Sequence, residues 1–216
     1  MTPDPLIKVC GITRAEDARH AVAHGATALG FVFWPSSPRY IVPEAARAIV
    51  AGLPRGVVAV GVFVNETIDG IRRAVEASGV TAVQLHGDEP PDYARALDGM
   101  LLRAVGLEAA AAAVAIWPRR VTLLIDAADP VRRGGTGMLV DWQKAADLAR
   151  RRSFVLAGGL TPDNVADAIR LVRPAGVDVS SGVERAPGIK DAEKVTAFVA
   201  SARRAFAALA GAGRVT

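Results

Sequence analysis

Leu6-Ile7-Lys8-Val9-Cys10-Gly11-Ile12-Thr13 is the stretch from which the fold can be read. Apart from Lys8, residues 6–9 are apolar at successive positions, so the run lacks the polar face of a half-exposed strand. Parallel strands covered by helices on the outside have this character. The run ends in Cys10 and Gly11. Thr13-Arg14-Ala15-Glu16 then has capping-box spacing, which predicts a helix entered through Thr13. Strand, short loop and helix follow one another within about twenty residues.

The same rhythm continues outward from this unit to the end of the chain. Apolar runs predict strands over residues 6–10, 28–33, 57–64, 82–85, 101–105, 121–126, 154–157 and 177–180. Segments of helical period lie between and after them, over 15–24, 43–52, 67–78, 90–97, 108–116, 141–151, 162–171 and 192–209. Pro43 and Pro162 fall in first helical turns, where a missing N–H costs nothing. Eight strand–helix repeats point to a (β/α)8 TIM barrel. The alternative is an open doubly wound sheet, but the Gly-x-Gly-x-x-Gly turn of a dinucleotide fold is missing after the first strand. No linker or low-complexity segment divides residues 1–216, so one barrel domain with short frayed tails is expected.

Composition bounds the function. The chain has 216 residues, 51% hydrophobic and 22% charged, a globular profile. No apolar run is long enough to span a bilayer, and the N-terminus lacks the pattern of a secretory signal; a cytoplasmic protein with no membrane partner is expected. The net charge is +4, and the pI of about 9.7 could suggest a nucleic-acid binder. The arginines, however, come in pairs and one triplet interleaved with acids, and aromatics are only 5%. Solvated helix faces account for them, and no nucleic-acid partner is expected. His20 and His24 have a four-residue spacing but no third ligand, so no metal is expected.

In a barrel the C-terminal strand ends share one rim, where the chemistry sits. Cys10, the only cysteine, is there, either as inert packing or as a proton-transfer or nucleophilic group. Asp126 ends the run Val-Thr-Leu-Leu-Ile. It either pins a loop or, with its pKa raised by burial, holds a proton for donation. Arg39 closes the proline-rich loop after the second strand and could fork a carboxylate, or merely face solvent. Gln84 and His86 end the fourth strand, with a ligand-orienting or a structural task. Gly158 and Gly159 follow the seventh strand; Asp178, Ser180, Ser181 and Gly182 follow or end the eighth. Loops at these two places are where the fold takes phosphate, through backbone amides that glycine lets approach closely. Gly134-Gly135-Thr136-Gly137 suggests a phosphate loop or a lid.

Taken together, residues 9–13, 33–39, 84–87, 126, 134–137, 156–160 and 178–184 resemble phosphoribosylanthranilate isomerase of tryptophan biosynthesis, in that family's order and spacing. The resemblance spans roughly residues 7–206. It implies an Amadori aldose–ketose isomerase acting without a cofactor on N-(5-phosphoribosyl)anthranilate, as a monomer or homodimer. Cys10 would be the general base and Asp126 the general acid. Arg39 would take the anthranilate carboxylate, and the amides around Gly158-Gly159 and Ser181-Gly182 the phosphate. The reference pKa values, about 8.5 for Cys and 3.9 for Asp, stand in the wrong order for these roles. The site must shift them or work from a minor protonation state. Lys8, two residues before Cys10, shares its face and could draw the thiol down. The rivals are a related phosphoribosyl isomerase, which would use a pair of aspartates with one early on the first strand, whereas this strand ends in Cys10, and a non-catalytic phosphosugar-binding barrel.

Overall fold

The computed structural model describes residues 4–127 and 140–212. The run that opens the chain is strand β1, Leu6–Cys10, and it is followed by β2 (Ala28–Val32), β3 (Val58–Phe63), β4 (Ala82–Leu85), β5 (Met100–Gly106), β6 (Val121–Asp126), β7 (Phe154–Leu156) and β8 (Gly176–Val179). Each strand pairs in parallel with its successor, and β8 pairs with β1, so the sheet closes into a barrel. The helices are α1 (Ala15–Ala23), α2 (Pro43–Val50), α3 (Ile68–Ser78), α4 (Tyr93–Ala96), α5 (Leu107–Ile116), α6 (Trp142–Ala149), α7 (Val165–Val172) and α8 (Ala192–Ala212). A two-stranded ribbon, β9 (Glu184–Ala186) with β10 (Ile189–Lys190), precedes α8.

Side-chain parity divides the sheet into two cores. Ile7, Val9, Leu29, Phe31, Leu101, Leu123 and Ile125 face outward and join the buried faces of the helices. On α7 those faces are Val165, Ala168, Ile169 and Val172, at the 3–4 spacing of an amphipathic helix. Ala28, Val60, Ala82, Leu102, Leu124 and Val155 point inward and fill the barrel. This is why the strands read as apolar throughout. Arg103, on the outward face of β5, pairs with Glu89 at 2.5 Å and lies 5.3 Å from the centre of the Trp117 ring. It belongs to the outer core.

Local signals were followed where nothing competed with them. Thr67 caps α3 by accepting from Gly70 N at 3.0 Å, and Pro43 sits in the first turn of α2. Three expectations fail for identifiable reasons. Thr13 does not cap α1: its hydroxyl donates to Gly188 O at 2.5 Å, and Arg14 is the cap residue, with no side-chain cap bond. Pro162 lies ahead of α7, because Asn164 bonds Thr161 N and Gly159 O and holds residues 159–164 in a turn. The helix expected over 90–97 shrinks to the single turn of α4. The carbonyls of Pro90 and Pro91 accept in tight turns, and Leu97 is already extended towards β5. At the other end α8 continues to Ala212 instead of fraying after residue 209.

Candidate active site

Strand register brings the polar residues together. Lys8 of β1 stands directly beside Asp178 of β8, and Cys10 beside Gly30 of β2. All of these point into the barrel, as do Gln84 and Asp126 by parity. Lys8 is fully buried, with its ammonium 2.9 Å from Asp178 Oδ2. A side chain on Gly30 would place its first carbon 2.6 Å from Cys10 Sγ and 3.1 Å from Lys8 Cε. The bare glycine is what allows both inward side chains to fit. Cys10 packs against Val32 and Val62, with Trp34 at the edge. That apolar patch is not apparent from any motif, although strand parity could have located two of its members.

Above this floor lies a cleft lined by Asp126, Gly158, Gly159, Asp178, Ser180, Ser181 and Gly182 among others. Gly158 and Gly159 are both left-handed, with φ of 79° and 66°. A side chain at Gly182 would meet Leu160 O at 1.9 Å, so the loops after β7 and β8 touch backbone to backbone. The sequence-predicted anion loops and Asp126 therefore share one cleft. Cys10 is not among the residues that line this cleft; it stands beside them on β1, where Ser180 Oγ donates to its carbonyl at 3.2 Å. Gln84 sits lower and is buried, its amide nitrogen 2.9 Å from His86 Nδ1. His86 Nε2 lies 3.6 Å from Asp126 Oδ2, so the β4 residues flank the acid. Arg39 curves over Gly11, next to Cys10. Its Nε and one terminal nitrogen bind Glu184 at 2.9 and 2.8 Å. The Gly134–Gly137 segment lies outside the described residues.

Desolvation dominates the electrostatics of both Asp126 and Cys10. Burial pushes the Asp126 carboxyl up to about 6; a hydrogen bond from Ala127 N pulls it down, while the Asp178 charge adds to the rise. Burial also pushes the Cys10 thiol up. Lys8 and Lys190 pull it down, but they do not outweigh desolvation. The expected help from Lys8 is thus present in sign and insufficient in size, because Asp178 shares the same ammonium. Burial alone would depress Lys8; the carboxylate beside it and the thiol more than reverse that, and Lys8 stays charged. Asp178 Oδ1 has no hydrogen-bond partner among the described residues. A buried carboxylate oxygen of this kind calls for a donor, and a ligand hydroxyl in the cleft would supply one.

A rim of this kind can hold a phosphorylated small molecule and move protons on it, which places the chain in the class of phosphate-binding (β/α)8 barrel enzymes. Residues 7–201 match the family model described as N-(5'-phosphoribosyl)anthranilate (PRA) isomerase, and the chain belongs to that family. A relative named N-(5'-phosphoribosyl)anthranilate isomerase from Trichlorobacter lovleyi is 49% identical over 202 residues, covering 93% of this chain and 98% of the relative. One of the same name from Roseiflexus castenholzii is 49% identical over 211 residues, covering 93% and 99%. The phosphoribosyl anthranilate isomerase structure from Thermotoga maritima superposes with a TM-score of 0.85 at 43% identity, over 92% of this chain and 98% of that one. A further isomerase structure, TM-score 0.81 at 42% identity over 92% and 98%, is a complex with reduced 1-(o-carboxyphenylamino)-1-deoxyribulose 5-phosphate.

Proposed function

We infer that the protein isomerises N-(5-phosphoribosyl)anthranilate to 1-(2-carboxyphenylamino)-1-deoxyribulose 5-phosphate in tryptophan biosynthesis. The observation that carries this reading is a carboxyl raised to about 6 in a cleft shared with the glycine–serine loops, in a chain of this family. Phosphate rests on the amides around Gly158-Gly159 and Ser181-Gly182. The anthranilate carboxylate reaches Arg39, and its ring lies on the patch of Val32, Val62 and Trp34. The ribose is held between these anchors, near Cys10 on one side and Asp126 on the other. Fixing a reactant in this way can remove roughly 7–11 kcal/mol of barrier.

The chemistry then follows from the two groups. Protonated Asp126 gives its proton to the furanose ring oxygen, the C1–O bond breaks, and the substrate nitrogen takes up the charge as a protonated Schiff base. The Cys10 thiolate removes the proton from C2. The electron pair moves to C1 and nitrogen to form an enolamine, which gains a proton at C1 as its C2 hydroxyl becomes the ketone. The substrate nitrogen is the electron sink, so the step needs no cofactor. A carboxyl of pKa about 6 keeps a usable protonated fraction near neutral pH. A thiol above its ordinary value keeps a smaller thiolate fraction. The same reading places the enzyme in the cytoplasm, as a monomer or homodimer. Among the described residues no helix is long and apolar enough to cross a membrane.

Turnover of phosphoribosylanthranilate by the purified protein, followed as loss of anthranilate fluorescence, tests the assignment; a protein that binds the substrate without converting it would be a sensor instead. Two variants test the geometry. Arg39→Ala should raise KM by about tenfold or more with a smaller change in kcat, because it removes ground-state binding. An unchanged KM would count against the carboxylate contact. Gly30→Ala should push Cys10 Sγ aside, lowering kcat by at least about tenfold and stability by about 1–3 kcal/mol. Normal kcat in a folded Gly30→Ala variant would show that Cys10 needs no such room.

A further inference from the structure

Glu184 and Lys190 play no part in the proton transfers, yet both are buried on the rim. Glu184 opens the ribbon strand β9. Both its oxygens are used by Arg39, Oε1 by Nε at 2.9 Å and Oε2 by a terminal nitrogen at 2.8 Å. Oε1 also accepts from Lys190 Nζ at 2.8 Å and Gly188 N at 3.2 Å. Lys190, 3% exposed, donates onward to the carbonyls of Cys10 at 2.6 Å and Ser180 at 3.3 Å. One ionic cluster thus ties the Arg39 side chain to the ends of β1 and β8.

This cluster has a consequence for substrate. A guanidinium has two forks, and Glu184 occupies the one that includes Nε. That fixes the plane of the group and leaves the end-on fork to a ligand. The neighbouring charges are engaged with one another: Lys8 pairs with Asp178, and Arg14 pairs with both Glu16 and Asp17. Asp17 Oδ2 also takes the Lys190 backbone amide at 3.1 Å, and Lys194 Nζ reaches the Glu184 carbonyl.

We propose that Glu184, locked in place by Lys190, is the positioning residue that aims Arg39 at the ring carboxylate of the substrate. The proposal rests on Arg39 being the carboxylate's partner. Glu184→Gln preserves size and one acceptor but turns an NH2 group against Arg39, which breaks the fork.

The test measures dissociation constants for two probes, reduced 1-(2-carboxyphenylamino)-1-deoxyribulose 5-phosphate and the same compound without the ring carboxyl. Glu184→Gln should bind the carboxylated probe at least about tenfold more weakly and the other within about twofold, with KM rising and kcat nearly kept. In an Arg39→Ala background the same substitution should have no further effect on the carboxylated probe. Glu184→Asp, which keeps the charge and gives a second chance of a folded variant, should show a smaller effect of the same sign. Equal weakening of both probes, or an effect that persists without Arg39, would overturn the positioning role. Failure of the Arg39 assignment itself would appear elsewhere, as wild-type protein binding both probes alike, and would remove the proposal with it.

Discussion

Cys10→Ser should lower kcat on phosphoribosylanthranilate by about 10^2–10^4-fold, the range a positioned general base contributes, while KM stays within about tenfold. Serine fits where cysteine sits. The position is 7% exposed, and the smaller oxygen fits the room that the bare Gly30 already leaves. What is lost is acidity: an alcohol far above neutral pKa supplies almost no anion to take the C2 proton. Steady-state kinetics together with a thermal melt separate this loss from misfolding. Near-normal turnover in a folded variant would exclude Cys10 as the base and leave it as packing.

Asp126→Asn should be similarly costly to kcat, by about 10^2–10^4-fold, since the amide N–H is far too weak an acid to protonate the ring oxygen. It should also make the protein more stable at neutral pH. The folded-state value of about 6 stands above the ordinary 3.8. The folded protein therefore holds this proton more tightly than the unfolded chain does. Protonation favours folding below about pH 4, and that advantage is lost as pH rises through about 6. At pH 7 the ionised, buried carboxylate costs on the order of 3 kcal/mol. Asparagine removes that cost and keeps an acceptor for Ala127 N, which now bonds Oδ1 at 2.8 Å. Urea denaturation at pH 4 and pH 7 should show the variant's gain growing with pH. A gain independent of pH, or a loss at pH 7, would mean that burial does not raise the Asp126 carboxyl above its ordinary value.

The barrel was legible because each strand is apolar on both faces, and that reflects two cores separated by parity. The meeting of the loops after β7 and β8 in one cleft was legible because glycine pairs and serines stand where those strands end. Helix ends were less so: Thr13 and Pro162 carry correct local signals, but Gly188 and Asn164 offer competing partners that come from folding or from the next turn. Arg39 illustrates the limit most clearly. Its place in the loop led to the expectation of a fork for a ligand carboxylate; the structure shows one side of that fork holding Glu184, 145 residues away. Lys8 was correctly placed on the face of Cys10. Its claim by Asp178 depends on β1 meeting β8, and closure of a sheet is a global property that no local spacing contains. The thiol's direction followed from that closure, because burial and a shared cation leave it above its ordinary value.

The central claim is that the Cys10 sulfur and the Asp126 carboxyl flank one sugar held at both ends. A crystal structure of the protein with reduced 1-(2-carboxyphenylamino)-1-deoxyribulose 5-phosphate tests it most directly. The account predicts phosphate on the amides around Gly159 and Gly182, the ring carboxylate at Arg39, and Sγ about 3–3.5 Å from C2 with Asp126 on the other side of the chain. A ligand whose phosphate lies away from those loops, or whose C2 is out of reach of Sγ, would contradict it.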